Sequence, residues 1–363
     1  MEKIKNSFGG VIFGILLLIG GTVLLWWNEG NNVRNINSIN EVEKQVVSVA
    51  SDNVDSKNEG KLILTSGSLV TEDEKVTDTD FGFGVKTPVF KRYVEIYEWK
   101  EESHTEDDRT TYTYSTSWED HLIDSSSFHE GTHTNPTSVL YDSNSFYADT
   151  VNVGSFGLTL DQKKMLNTRV RYQVEAEQEL PEGFDIKSGY VTNAADIDKP
   201  AVGDLRIAWE YNDWKEATVL AIQKGDSFTD FVSKDGRKIN RIFEGEKSIN
   251  EVLETMRSED KAMKWIFRAI GAILIIVGYM AIINPLSTLA SFVPFLGGIV
   301  GGVLNLIAFL IGLIHSLIII IIAWFRYRPL LAIILLAVVV LAIVGIVTLV
   351  KKNKKAKPVE KEA

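Results

Sequence analysis

The stretch KWIFRAIGAILIIVGYMAII, Lys264 to Ile283, opens a block that stays apolar almost without interruption to Val350. Its charges sit only at the seams, at Lys264, Arg268, Arg326 and Arg328, before a basic tail begins at Lys351. A helix needs about 20 apolar residues to cross the hydrocarbon core, so residues 264–350 predict three transmembrane helices. Asn284-Pro285 is expected to end the first of them, because proline lacks an N–H and restricts the residue before it. The next runs from about Leu296 to Ala323, and Pro329 opens the last, Leu330 to Val350, at a first-turn position that tolerates proline.

At the other end, Phe8 to Trp27 is a second long apolar run, behind Lys3 and Lys5. It is too long for a signal peptide and lacks a small-residue cleavage pattern, so residues 1–27 predict an uncleaved signal anchor and four spans in all. Trp26-Trp27 at its exit fits an interfacial aromatic belt. Beyond it, apolar residues at Val33, Ile36, Ile39, Val42, Val46 and Val49 recur every three or four positions, predicting a stalk helix over residues 28–57.

Between residues 58 and 245 the pattern changes to short segments rich in β-branched and aromatic residues. These are Lys61 to Leu69, Lys91 to Lys100, Thr111 to Asp120, Thr168 to Ala176, Asp204 to Tyr211 and Glu216 to Gln223. Gly, Asn, Asp and Ser fill the gaps, as between strands, and a short helix is expected near Thr159. Residues 246–263 return to helix. Ser248-Ile-Asn-Glu251 reads as a capping box, and Ile249, Val252, Leu253, Met256 and Met263 share one face. This second stalk leads into the second span and should pair antiparallel with the first. The fold class is α+β: a multi-pass helical membrane protein with a large, mostly β extracytoplasmic domain on helical stalks and a basic cytoplasmic tail, residues 351–363.

Charge is divided unevenly along the chain. Setting aside residues 1–27 and everything from Lys264 onward leaves 26 basic residues against 45 acidic ones, an excess of 19 negative charges on the middle domain. That excludes nucleic acid as its partner, since a polyanion requires a cationic footprint. Lys3, Lys5 and the tail lysines place both termini in the cytoplasm, which four spans permit. Arg326 and Arg328 then fall on the outer side, against the positive-inside trend; either the glycine-rich stretch, residues 285–302, re-enters the membrane, or the acidic domain or lipid phosphates meet them. With no cysteine, the chain has no disulfide and no thiolate chemistry.

His129-Glu130-Gly131-Thr132-His133 matches H-E-x-x-H, in which two imidazoles one helical turn apart bind zinc and the glutamate activates water. The flanking Ser125-Ser-Ser127, the internal Gly131 and Pro136 predict a loop instead of the long helix that chemistry requires. His315 and Asn305 are the polar candidates inside the third span, and an intramembrane ionisable group is a functional hypothesis by default. No Asp or Glu lies in the spans as read to build a relay with it. Gly10 and Gly14 form one G-x-x-x-G, and Gly297, Gly298, Gly301 and Gly302 form two more, the spacing that lets membrane helices approach closely.

Several short motifs in a fixed order resemble the transmembrane protein 43 family, also called LUMA. They are Trp27-Asn28-Glu29-Gly30, Asn58-Glu59-Gly60-Lys61-Leu62, Ser66-Gly67, Phe81-Gly82 and Arg92-Tyr93-Val94-Glu95-Ile96-Tyr97-Glu98-Trp99. Tyr112-Thr-Tyr114, Trp118, Ile123-Asp124-Ser125, His133-Thr-Asn135-Pro136, Val153-Gly154-Ser155-Phe156 and Gly203-Asp204-Leu205-Arg206 follow. The resemblance implies one N-terminal span, a large lumenal or extracellular domain and three C-terminal spans. It also implies an organiser of envelope proteins that oligomerises, found in animals in the endoplasmic reticulum and inner nuclear membrane. The Asn-, Lys- and Ile-rich composition points to a bacterial cell membrane here.

The expected function is a non-enzymatic membrane scaffold without cofactors, forming homo-oligomers through its glycine-bearing spans and meeting membrane lipids and membrane or envelope proteins. A channel or lipid-handling assembly lined by His315 and Arg326 is the alternative. A zinc hydrolase built on His129, Glu130 and His133 is the third reading.

Overall fold

The computed structural model describes residues 2–106, 109–175, 178–290, 297–330, 332–334 and 337; the surroundings of side chains 2–8 and 286–301 fall outside that description. The chain divides into a helical unit, residues 1–44, 233–237 and 250–363, and a β unit, residues 45–232 and 238–249.

The helical unit contains α1, Glu2–Gln45, α3, Ile249–Ala290, and α4, Gly297–Tyr327; α2, Leu160–Lys164, belongs to the β unit. Among the described residues three helices are long and apolar enough to cross a membrane, Gly9–Gln45, Ile249–Pro285 and Gly302–Tyr327. The expected fourth span, 330–350, lies largely outside the described residues, as does the tail. At 1.5 Å per residue α1 is about 66 Å long, roughly twice the hydrocarbon thickness, so apolar and polar stretches share one rod.

Two expectations for the helices need correction. The stalk predicted to residue 57 ends at Gln45, because Val46, Val47 and Val49 are β-branched and Val47–Ala50 pairs in parallel with Leu62–Thr71. Asn284-Pro285 does not end the second span, since α3 continues through Pro285 to Ala290. A proline removes one ladder bond, and neighbouring helices in a membrane can compensate for it.

Helices α1 and α3 run antiparallel in a regular register. Gly14 meets Gly278, Gly21 meets Gly271, Asn28 meets Lys264 and Asn32 meets Asp260, so one number falls by as much as the other rises. The glycines recur every seven residues on both helices, the repeat of a left-handed coiled coil. A Cβ on Gly14 would lie 2.7 Å from the Gly278 carbonyl oxygen, and one on Gly278 would lie 2.8 Å from that of Gly14. The backbones therefore touch, a contact open only to glycine and suited to Cα–H···O bonding.

The β unit holds two seven-stranded sheets. The first runs Ser227–Thr229, Glu216–Lys224, Leu62–Thr71, Val151–Val153, Phe156–Gly157, with Val47–Ala50 added to Leu62–Thr71 and Arg241–Glu244 to Glu216–Lys224. The second runs Asp185–Lys187, Tyr190–Thr192, Leu205–Tyr211, Val89–Glu106, Arg109–Glu119, with Val170–Arg171 and Asn144–Tyr147 added. The strand expected over Thr168 to Ala176 pairs only at Val170 and Arg171. The helix expected near Thr159 is α2, closed by a capping box between Thr159 and Gln162. Ile63, Val219 and Phe228 of the first sheet and Val94, Ile207 and Trp209 of the second join one apolar core.

One charged group lies inside that core. Arg92 donates to both oxygens of Asp78 at 2.8 and 2.9 Å, and Trp209 Nε1 donates to Asp78 Oδ2 at 2.8 Å. Asp78 and Trp209 are wholly buried, and the guanidinium lies over the rings of Phe81, Tyr141 and Phe146. Arg92 also pairs with Asp80 at 2.8 Å, but that carboxylate is half exposed, so losing Asp78 leaves the buried guanidinium short of a partner and the Trp209 N–H without an acceptor. Asp78→Ala is expected to cost about 3–5 kcal/mol in denaturant unfolding of the β unit; a loss no larger than that of a surface substitution would refute the structural role.

Candidate functional site

The polar residues of the three apolar helices converge at two levels. At the upper one, Glu29 of α1 is buried, with 1% of its side chain exposed. Its Oε1 accepts from Arg268 Nε of α3 at 2.7 Å and its Oε2 from Trp324 Nε1 of α4 at 2.9 Å. Arg268 lies over the rings of Trp265 and Trp324. Residues 27–35 of α1, about two and a half turns, supply the rest of the seam. Trp27 packs edge-on against Phe267, Asn28 donates to the Lys264 carbonyl at 3.0 Å, and a Cβ on Gly30 would strike the Tyr327 ring at 2.6 Å. Asn32 bonds both Asp260 and Arg328, and Asn35 also bonds Asp260.

A first span ending at Trp27 leaves Glu29 outside; the uninterrupted helix brings it into the packed region, where it pairs with Arg268 and not with His315. The Trp-Asn-Glu-Gly run and Arg268 were visible as separate features, but their pairing across 239 residues was not. Arg328 finds its partner in the chain itself, at Asn32, whereas Arg326 is exposed and lies over the Tyr327 ring.

At the second level His315 of α4 sits between Thr22 of α1, with Oγ1 3.4 Å from Nε2, and Tyr279 of α3, with Oη 3.2 Å from Nδ1. Either neutral tautomer satisfies both contacts, since each hydroxyl donates or accepts. Asn305 is exposed on α4 and does not join this group. Gly10 approaches Ala281 and Gly14 touches Gly278 within the same chain, while nothing lies within 4 Å of a Cβ built on Gly302. Gly297, Gly298 and Gly301 lie on the backbone of α4, but what surrounds them is outside the described residues.

In the β unit, residues 129–133 form a loop and not a zinc-binding helix. His129 stacks on Tyr112 with ring centres 4.1 Å apart, and His133 stacks on Tyr114 at 4.0 Å with its edge on Trp99. Among the described residues no group of three His, Asp or Glu could hold a metal. Asn135 fixes the loop by accepting from Trp99 N–H at 2.8 Å and donating to the Trp99 carbonyl at 2.9 Å, as a paired strand would. Tyr114 donates to Glu101 at 2.6 Å, and burial, then that bond, pushes its phenol up to about 12. Glu98 is wholly buried; Oε2 accepts from Ile123 N–H at 2.9 Å while Oε1 has no partner, and burial raises its carboxyl above the ordinary range.

The family model described as Transmembrane protein 43 matches residues 96–329. A "Transmembrane protein 43" of Pongo abelii is 27% identical over 381 residues, covering 98% of this chain and 93% of that protein. The "Transmembrane protein 43 homolog" of Drosophila melanogaster is 27% identical, covering 90% and 91%, and the Homo sapiens protein is 27% identical, covering 92% and 88%. No solved structure matches the chain.

Glu29→Ala strands the Arg268 guanidinium, so helix association in detergent is expected to weaken by about 3–5 kcal/mol. The check is thermal unfolding beside a double-mutant cycle with Arg268→Ala; additive effects would show that the two are uncoupled. For Glu98 the folded pKa lies above the unfolded one, so its contribution is present at low pH and lost as pH rises through the folded value. Glu98→Gln is therefore expected to flatten the stability-pH curve above the ordinary carboxylate range. An unchanged curve would exclude Glu98 as its source.

Proposed function

This chain belongs to the transmembrane protein 43 family, and from that premise we propose that it is a non-enzymatic membrane scaffold that self-associates and presents its β unit to membrane or envelope proteins. Both termini are cytoplasmic in this reading, the β unit lies outside the cytoplasm, and the setting is a bacterial cell membrane. One observation carries the scaffold reading. Arg109–Glu119 is the outermost strand of its sheet, and its outer edge has no ladder partner among the described residues. An open edge of 11 residues is a template on which another chain can add a strand.

Of the glycines expected to join copies, Gly14 packs α1 on α3 and Gly10 approaches Ala281 within the chain, Gly302 has nothing within 4 Å of a Cβ, and the surroundings of Gly297, Gly298 and Gly301 lie outside the described residues. The channel reading draws on His315, the one histidine of these helices, flanked by two hydroxyls. With both ring nitrogens engaged inside one chain, the group favours a packing role over a conducting one.

The test is particle mass of the intact protein in nanodiscs, with amine crosslinking in native membranes. More than one copy per particle, with crosslinks at the β unit, is the expected result; a folded monomer that captures no protein would overturn the proposal.

A further inference from the structure

The open edge also carries information about what covers it. Monomeric proteins blunt such edges with lysine, proline or bulges. From Thr110 to Trp118 this strand, TTYTYSTSW, has no charge, proline or glycine. Its backbone bonds run to Val89–Glu106 alone among the described residues.

The strand is also complementary to itself when reversed. Set antiparallel to a second copy about a twofold axis at Tyr114, Arg109 faces Glu119, Thr111 faces Ser117 and Thr113 faces Ser115, all on one face. On the other face Thr110 lies opposite Trp118, Tyr112 opposite Thr116 and Tyr114 opposite its own copy, but there the rings of Tyr112 and Tyr114 are already held by His129 and His133 of the same chain. An opposite-charge pair and hydroxyl pairs, which the first face supplies, are combinations that stabilise antiparallel neighbours. The charges at the two ends are of opposite sign, and Glu119, 13% exposed, would have to share its carboxylate with Lys100. Arg109 is exposed and forms no ion pair among the described residues, and Glu119 uses Oε1 for Lys100 and Ser117 while Oε2 remains available. Other registers separate Arg109 from Glu119.

We propose that Arg109–Glu119 pairs edge to edge with the same strand of a second copy, antiparallel and centred on Tyr114, joining two β sheets into one. This rests on the self-association reading and names its interface. The natural chain has no cysteine, so introduced thiols report without background. Thr113→Cys and Ser115→Cys chains are co-expressed at full length and oxidised in the membrane. Position 113 faces 115 of the partner and not its own copy, so the mixture is expected to crosslink about tenfold more than either variant alone, given the Cα separation a disulfide tolerates.

As a second measure, Thr113→Lys with Ser115→Lys sets like charges opposite each other and is expected to abolish the dimer, whereas Thr113→Lys with Ser115→Glu keeps it. Both positions are exposed or half-buried on the strand surface, so the fold is retained. Multimeric particles without the mixed crosslink, or equal crosslinking by each variant alone, would overturn this interface and leave the scaffold standing. Monomeric particles would overturn both.

Discussion

A carboxylate removed from water must be answered by a cation and by hydrogen bonds, and in the helical unit that requirement fixes the arrangement of three helices. Glu29 takes its countercharge from α3 and a hydrogen bond from α4, so α3 cannot rotate or slide without leaving a buried charge unpaired, nor α4 without leaving one carboxylate oxygen unsatisfied. Apolar helices in lipid have little hydrophobic reason to choose one neighbour over another. The ion pair supplies that choice of register, and the glycine contacts at Gly21 and Gly14 keep it about two and four turns back toward the N-terminus of α1.

The β unit solves a similar problem in the same way. Arg92, Asp78 and Trp209 come from three strands and close a polar group inside an aromatic shell. In each unit a tryptophan N–H completes the carboxylate that an arginine has neutralised. The β unit differs in what it leaves open, the outer edge of Arg109–Glu119, which has no ladder partner among the described residues.

Hydropathy made the spans legible because lipid imposes a requirement that every residue of a span must meet. The longer strands were legible for a related reason: Arg92 to Trp99 and Glu216 to Gln223 carry their β character in their own side chains. What escaped was decided by distant partners. Val47–Ala50 became a strand because Leu62–Thr71 offered it a ladder, and Pro285 stayed in a helix despite its local preference. The H-E-x-x-H spacing was rightly read as a loop, yet the rings that hold it, Tyr112, Tyr114 and Trp99, lie on a hairpin whose register no short motif reveals. Glu29 was hidden by the convention that a span ends where hydropathy falls.

Assembly order follows from that last residue. Glu29 leaves the ribosome 239 residues before Arg268 and 295 before Trp324, an interval of roughly 10–60 s at ordinary synthesis rates. Throughout it the Glu29 carboxylate of α1 lacks the Arg268 and Trp324 partners that fix the packing of this helix. Leu62–Thr71 waits in the same way for Glu216–Lys224, its principal neighbour. Both units are therefore completed from the C-terminal side, and the early half of the chain depends for tens of seconds on whatever shelters an unfinished sheet and an unpaired acid.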